Sequence, residues 1–172
     1  MNICGYYPES INEGDGLRAV IYISGCKHRC KGCFNPHTWN FTHGEDFTPE
    51  MQKQIVEDIQ GNPLLQGVTL CGGDPFFSSN ECVPFILKLR KALPNMDLWA
   101  YTGFTYEELL EDEDKKSLLL LCDVIIDGRF MEHLKDTTLQ YRGSLNQRII
   151  NVKKSIGSKD IVLWNKKEMS QE

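Results

Sequence analysis

Residues 18–33 read RAVIYISGCKHRCKGC. The first seven are mostly β-branched and aromatic, which predicts a strand over Arg18–Ser24 that ends at Gly25. Cys26, Cys30 and Cys33 follow at once, in the spacing C-x3-C-x2-C. Whatever sheet this strand joins, the cysteine loop hangs from its carboxyl end.

Moving outward, strand and helix signals alternate. Thr48 and Pro49 open a helix that runs to about Gln60, with threonine as cap and proline at the first helical position. Val68–Cys71 is a short buried strand that ends in Gly72-Gly73. Ser78 and Glu81 have capping-box spacing, and Val83–Leu93 carries helical apolar spacing, with Pro84 in the tolerant first turn. Leu98–Thr102 is the next strand. Thr105 and Glu108 form a second candidate capping box for helical sequence reaching about Leu121. Val124–Asp127 follows, then the late strands Ile149–Val152 and Ile161–Trp164.

Repeated strand–helix units predict an α/β fold with a mostly parallel sheet. A closed barrel takes about 250 residues; this chain has 172 and strands for about five or six. An open partial (β/α) barrel or a doubly wound sheet is therefore expected, with residues 1–172 as a single domain. In both architectures chemistry gathers at the carboxyl ends of the strands. Those ends carry the cysteine loop, Gly72-Gly73-Asp74, Thr102-Gly103 and Asp127-Gly128.

Hydrophobic residues make up 41% and charged residues 25%, as in ordinary globular domains. The net charge of −5 argues against a nucleic-acid partner. No apolar run approaches the length of about 20 residues that a membrane span needs, and no secretory signal is visible at Met1–Gly5. Seven cysteines in such a chain favour reduced thiols or metal ligands in a cytoplasmic protein over a disulfide framework.

Thiolates are soft ligands that suit zinc or iron–sulfur clusters. Zinc, with His37 or His28 as fourth ligand, is one reading. Structural zinc sites usually draw a second Cys or His pair from a separate segment, and none exists at such spacing. A [4Fe–4S] cluster held by Cys26, Cys30 and Cys33 is the favoured reading, and it leaves one iron open for chemistry.

C-x3-C-x2-C after the first of these strands and Gly72-Gly73-Asp74-Pro75 after the second resemble the radical S-adenosylmethionine (SAM) superfamily. Cys33-Phe34-Asn35-Pro36 with Thr38-Trp39, Tyr101–Leu109, Asp127–Phe130 and Arg142–Arg148 narrow the likeness. They resemble the family of anaerobic ribonucleoside-triphosphate reductase activating proteins.

The resemblance implies a radical SAM partial barrel with a [4Fe–4S] cluster and SAM as cofactors. It also implies reductive cleavage of SAM to methionine and a 5′-deoxyadenosyl radical, which forms a glycyl radical on the large subunit of the anaerobic reductase. A reduced donor such as flavodoxin would supply the electron. Adenine contact is implied around Gly32, Cys33 and Phe34, although Gly32 stands where many superfamily members carry an aromatic. Gly72 and Gly73 would admit the methionine part of SAM, and Asp74 would accept from its ammonium group. Thr102 and Asp127 would meet the SAM carboxylate, directly or through a cation, or else cap the following turns.

Asn146, Gln147 and Arg148 face cofactor or partner, or form a polar turn. Cys71, Cys82 and Cys122 read as core, Cys4 is unassigned, and His37, His43 and His133 read as surface or loop. Lys27, His28, Arg29 and Lys31 give the cysteine loop positive charge, fit for an acidic electron donor or simply solvated.

Overall fold

A computed structural model describes residues 1–166. Its sheet has seven strands: β1 (Asn2–Ser10), β2 (Arg18–Ile23), β3 (Glu45–Asp46), β4 (Gly67–Gly72), β5 (Asp97–Tyr101), β6 (Val124–Asp127) and β7 (Arg148–Asn151). The order is β3-β1-β2-β4-β5-β6-β7 and the sheet is open. Strands β2, β4, β5 and β6 run parallel, while β1 and β3 on one flank and β7 on the other pair antiparallel.

The sequence reading missed β1 and β3. Strand β1 contains Gly5 and Pro8 and is bulged between Ile3 and Gly5 and between Tyr7 and Ser10, so no clean alternation marks it. Ile161–Trp164, expected as a strand, makes only an isolated bridge from Leu163 to Ile150.

Helix α1 (Pro49–Gly61) starts where Thr48 Oγ1 accepts the Met51 N–H, and buries Ile55 and Ile59. Helix α2 (Ser79–Ala92) begins earlier than its apolar spacing suggested. Ser78 makes no capping bond there, and Glu81 pairs with the N-terminal ammonium instead. The Thr105–Glu108 capping box is present at the start of α3 (Tyr106–Glu111). The expected single helix divides at Asp112, whose carboxylate caps α4 (Glu113–Leu119) by accepting from Asp114 and Lys115. A last short helix, α5 (Val152–Ile156), follows β7.

Alternation along the strands sorts the sheet's two faces. Ile21, Ile23, Val68, Leu70, Leu98, Ala100 and Ile125 pack in one core with apolar residues of all five helices. Trp99, Val124 and Ile126 point to the other face, against Tyr141, Ile149 and Trp164. Among the described residues the five α-helices pack in the first of these cores alone, so the doubly wound alternative is not adopted. Among the described residues no helix is long and apolar enough to cross a membrane.

The foot of the parallel strands is tied by Arg18, which is fully buried. Its guanidinium donates to Thr69 Oγ1, the carbonyls of Asp15 and Val68, and the Asp97 carboxylate, and lies over the Trp99 ring. Strands β2, β4 and β5 are thereby held in register, and their carboxyl ends emerge together at the opposite edge.

Candidate iron–sulfur and cofactor site

The cysteine loop leaves β2 at Gly25, whose φ of +102° turns the chain sharply. Backbone bonds from Gly25 N to Thr38 O (2.7 Å) and from Cys26 N to Trp39 O (3.1 Å) anchor its entry to the following 3-10 turn. Arg29 (φ +50°) and Gly32 (φ +73°) are also left-handed. Such winding turns successive backbone N–H groups inward, as at many iron–sulfur sites.

The three thiols are free and partly exposed. Asn35 N–H lies 3.4 Å from Cys33 Sγ. Backbone N–H groups of His28 and Arg29 serve Cys26, and that of Phe130 serves Cys30. Burial raises the Cys26 thiol to about 11 against these opposing bonds, and raises Cys30 as well. A metal centre would have to displace those protons, as thiolate ligation requires.

Three thiols on one short loop with N–H groups directed at sulfur fit a cluster. Among the described residues no three His, Cys, Asp or Glu side chains are gathered for a single metal ion. Of the histidines considered for zinc, His28 holds Asp74 and His37 packs near His43, with ring centroids 5.9 Å apart.

Beside the loop, β4 ends in the glycine pair. Gly72 has a φ of +95°, and a Cβ on Gly73 would stand 2.5 Å from the Gly25 carbonyl oxygen. The absence of a side chain at Gly73 thus lets the end of β4 press against the base of the cysteine loop. Both glycines still line a cleft of about 450 Å³ on the helix-free face, with Tyr22, Phe34, Cys71 and Tyr101. That volume suits a drug-sized ligand or a nucleoside-containing cofactor.

Asp74 is nearly fully buried and its carboxylate is engaged within the protein. Oδ2 lies 2.9 Å from His28 Nε2 and accepts from Thr102 Oγ1 (3.0 Å) and Gly103 N (2.9 Å). Oδ1 accepts from Phe76 N at 3.0 Å. In this geometry Asp74 joins the loop to the ends of β4 and β5, rather than standing open to a ligand's ammonium.

Thr102 and Asp127 do not line the cleft. Thr102 Oγ1 accepts the Phe104 N–H, and Asp127 accepts the Tyr106 N–H at the start of α3 and pairs with Arg148. Of the two readings weighed for them, these contacts are those of capping. Gly32 lies outside the cleft lining, beside the Glu132 carboxylate that pairs with Lys31, while Phe34 is 60% exposed at the cleft's edge.

The 142–148 stretch is an ordered turn. Gln147 Oε1 accepts from Gly143 N (2.9 Å) and Ser144 N (3.2 Å), its Nε2 donates to Gly128 O, and Asn146 Nδ2 donates to Arg129 O. Gln147, Arg142 and Gly143 line the cleft, whereas Asn146 and Arg148 lie on a separate surface depression with Asp127.

Cys82 and Cys122 lie in the helix-side core. Cys71 is also buried but faces the cleft, a placement its apolar neighbours hid; its alternation with Leu70 was the available signal. Tyr22 and Tyr101 were missed as lining residues, although period-two spacing puts them on that same face. Tyr22 donates to Glu13 Oε1 at 2.9 Å. Cys4 Sγ lies 2.9 Å from Ser24 Oγ, just before the loop.

Residues 12–150 match a family model described as a 4Fe-4S single cluster domain. A protein of Pasteurella multocida is 41% identical over 152 residues, covering 87% of this chain and 96% of the relative. One of Haemophilus influenzae is 39% identical, covering 87% and 97%, and one of Escherichia coli K12 is 41% identical, covering 86% and 96%. Each of the three is named an anaerobic ribonucleoside-triphosphate reductase-activating protein.

Proposed function

The chain belongs to the family of anaerobic ribonucleoside-triphosphate reductase-activating proteins, and we propose that it generates the glycyl radical of that reductase by radical SAM chemistry. The observation that carries the proposal is the meeting of the three-cysteine loop with the Gly72-Gly73 end of β4, at the edge of a cleft large enough for SAM.

Cys26, Cys30 and Cys33 would hold three irons of a [4Fe–4S] cluster, leaving the fourth for SAM. Such a cluster, once reduced, would supply the electron for cleavage of SAM to methionine and a 5′-deoxyadenosyl radical, which would take a hydrogen atom from a reductase glycine. The chain's own part is to bind, orient and exclude water. Gly72 and Gly73 offer backbone to the methionine moiety without side-chain obstruction. Phe34 and Phe130, with ring centroids 5.1 Å apart, offer an apolar wall suited to an adenine.

The open sheet with helices on one face corresponds, in this reading, to a radical SAM partial (β/α) barrel. An open mouth suits a substrate that is a glycine on another protein's loop. Exposed Lys27, Arg29 and Lys31 around the cysteines, in a chain of net charge −5, suit an acidic reduced donor such as flavodoxin. A reducing, cytoplasmic setting goes with free thiols.

The test is to mix the anaerobically reconstituted protein with SAM, a reductant and the anaerobic reductase, then record electron paramagnetic resonance spectra. A glycyl-radical doublet that needs all components is expected. A SAM-cleaving protein that leaves the reductase silent would point to a different radical SAM target.

A further inference from the structure

His28 lies between two exposed cationic neighbours, Lys27 and Arg29, yet its side chain is only 3% exposed. Its ring is wedged beside Phe77 (centroids 5.0 Å apart) and Phe104 (4.5 Å). Gly103 makes the space, since any Cβ there would collide with the imidazole. Immediately after His28, Arg29 adopts its left-handed conformation, a strained choice for a residue with a side chain. The loop is therefore bent so that one polar ring enters an aromatic pocket.

That ring finds the Asp74 carboxylate, which already accepts from Thr102 and Gly103 just beyond the end of β5. A carboxylate accepts, so the His28 nitrogen facing it is the N–H. Asp74 N–H also donates to the Gly25 carbonyl at 2.9 Å. Asp74 thus grips the cysteine loop on both sides of Cys26, once through backbone and once through side chain.

We propose that His28 and Asp74 form a latch that fixes the cysteine loop against the glycine end of β4, making them positioning residues for the cluster and its cofactor. The proposal rests on the cluster reading above. It gives Asp74 a role beyond direct contact with SAM, and it gives the histidine between the first two cysteines a role other than metal ligation. Outer contacts that orient ligands typically cost tenfold to a hundredfold in metal retention when lost.

The test compares reconstituted wild type, His28→Leu and His28→Gln. Leucine keeps apolar contact with Phe77 and Phe104 but removes the donor. Glutamine restores an N–H near the position of the imidazole's outer nitrogen. The readouts are the rate of cluster loss to a chelator, followed by absorbance, and the reduced-cluster paramagnetic resonance spectrum with and without SAM.

The latch predicts cluster loss about tenfold faster in His28→Leu, with a broadened spectrum that responds less to SAM, and recovery to within about threefold of wild type in His28→Gln. Wild-type rates and spectra in His28→Leu would overturn it, and so would equal loss in both variants. If His28→Leu does not fold, Thr102→Val removes another donor to the same oxygen and carries the same prediction; wild-type behaviour there overturns the latch. A wild-type protein that holds no cluster would sink the cluster reading itself, whereas a stable wild-type cluster with indifferent variants sinks only the latch.

Discussion

Arg148 closes over the Asp127 carboxylate, with Nε 3.0 Å from Oδ1, and reaches on to Glu107, with Nη2 2.8 Å from Oε2. One arginine on β7 thus ties the end of β6 to the first turn of α3. Asp127 is buried, and without Arg148 it would keep only the Tyr106 N–H among these partners. Arg148→Ala is expected to destabilise the cluster-free protein by about 2 kcal/mol. Denaturant unfolding would measure it.

The same contact sets a pH dependence. Hydrogen bonds from Arg148 lower the Glu107 carboxyl from 4.5 to about 2. Its folded value lies below its unfolded one, so its contribution is complete above pH 4.5 and is lost as pH falls toward about 2. Glu107 is largely exposed, which makes the contribution small. Unfolding of the cluster-free protein between pH 4.5 and 2 should show a shallower acid slope in Arg148→Ala than in wild type.

At the other end of the strands, Asp97 has its carboxyl raised by burial, only partly offset by Arg18. An acid raised in the folded state binds protons more tightly there, so this group's contribution declines as pH rises from its ordinary value through the folded one. Asp97→Ala nevertheless strips a partner from the fully buried Arg18 and should cost about 3 kcal/mol. The double variant Arg18→Met with Asp97→Leu should be more stable than Asp97→Ala, as calorimetry can decide.

The glycine pair predicts a separation of fold from cluster binding. Gly73→Ala puts a methyl 2.5 Å from the Gly25 carbonyl, so the cysteine loop must shift. The protein should fold and yet retain less than about half the wild-type iron after reconstitution, in line with losses caused by displaced ligand supports. Gly61→Ala, whose methyl meets nothing within 4 Å, is the control and should keep full iron.

Around the cysteines, Lys27 sits 5.8 Å from the ring centroids of both Phe41 and Phe77, and Lys31 is paired with Glu132. Lys27→Glu with Lys31→Glu should slow reduction by an acidic flavodoxin by roughly tenfold at low salt, with the difference fading at high salt. Stopped-flow measurement across ionic strength would show it; a salt-independent rate equal to wild type contradicts donor steering.

The parallel centre of the fold was legible because β2, β4, β5 and β6 are apolar runs stopped by glycine or a polar residue. Strand β1 was not, because a strand with bulges and a proline is held by pairing with β2 and β3 rather than by its own pattern. The three cysteines and the glycine pair were legible as a candidate site. The internal contacts of Asp74, Thr102 and Asp127 were hidden, since a carboxylate or hydroxyl at a strand end looks alike whether it faces a ligand or a loop. His28 was read as part of a charged loop, because only tertiary packing shows that its ring turns inward while its neighbours stay in solvent.

The most direct test of the central claim is reconstitution with iron and sulfide under anaerobic conditions, followed by reduction in the presence of SAM and assay for 5′-deoxyadenosine, with Cys30→Ala alongside. The account predicts 5′-deoxyadenosine from wild type and none above background from Cys30→Ala. Bound zinc in place of a cluster, or a reduced cluster that leaves SAM intact even with the reductase present, would contradict it.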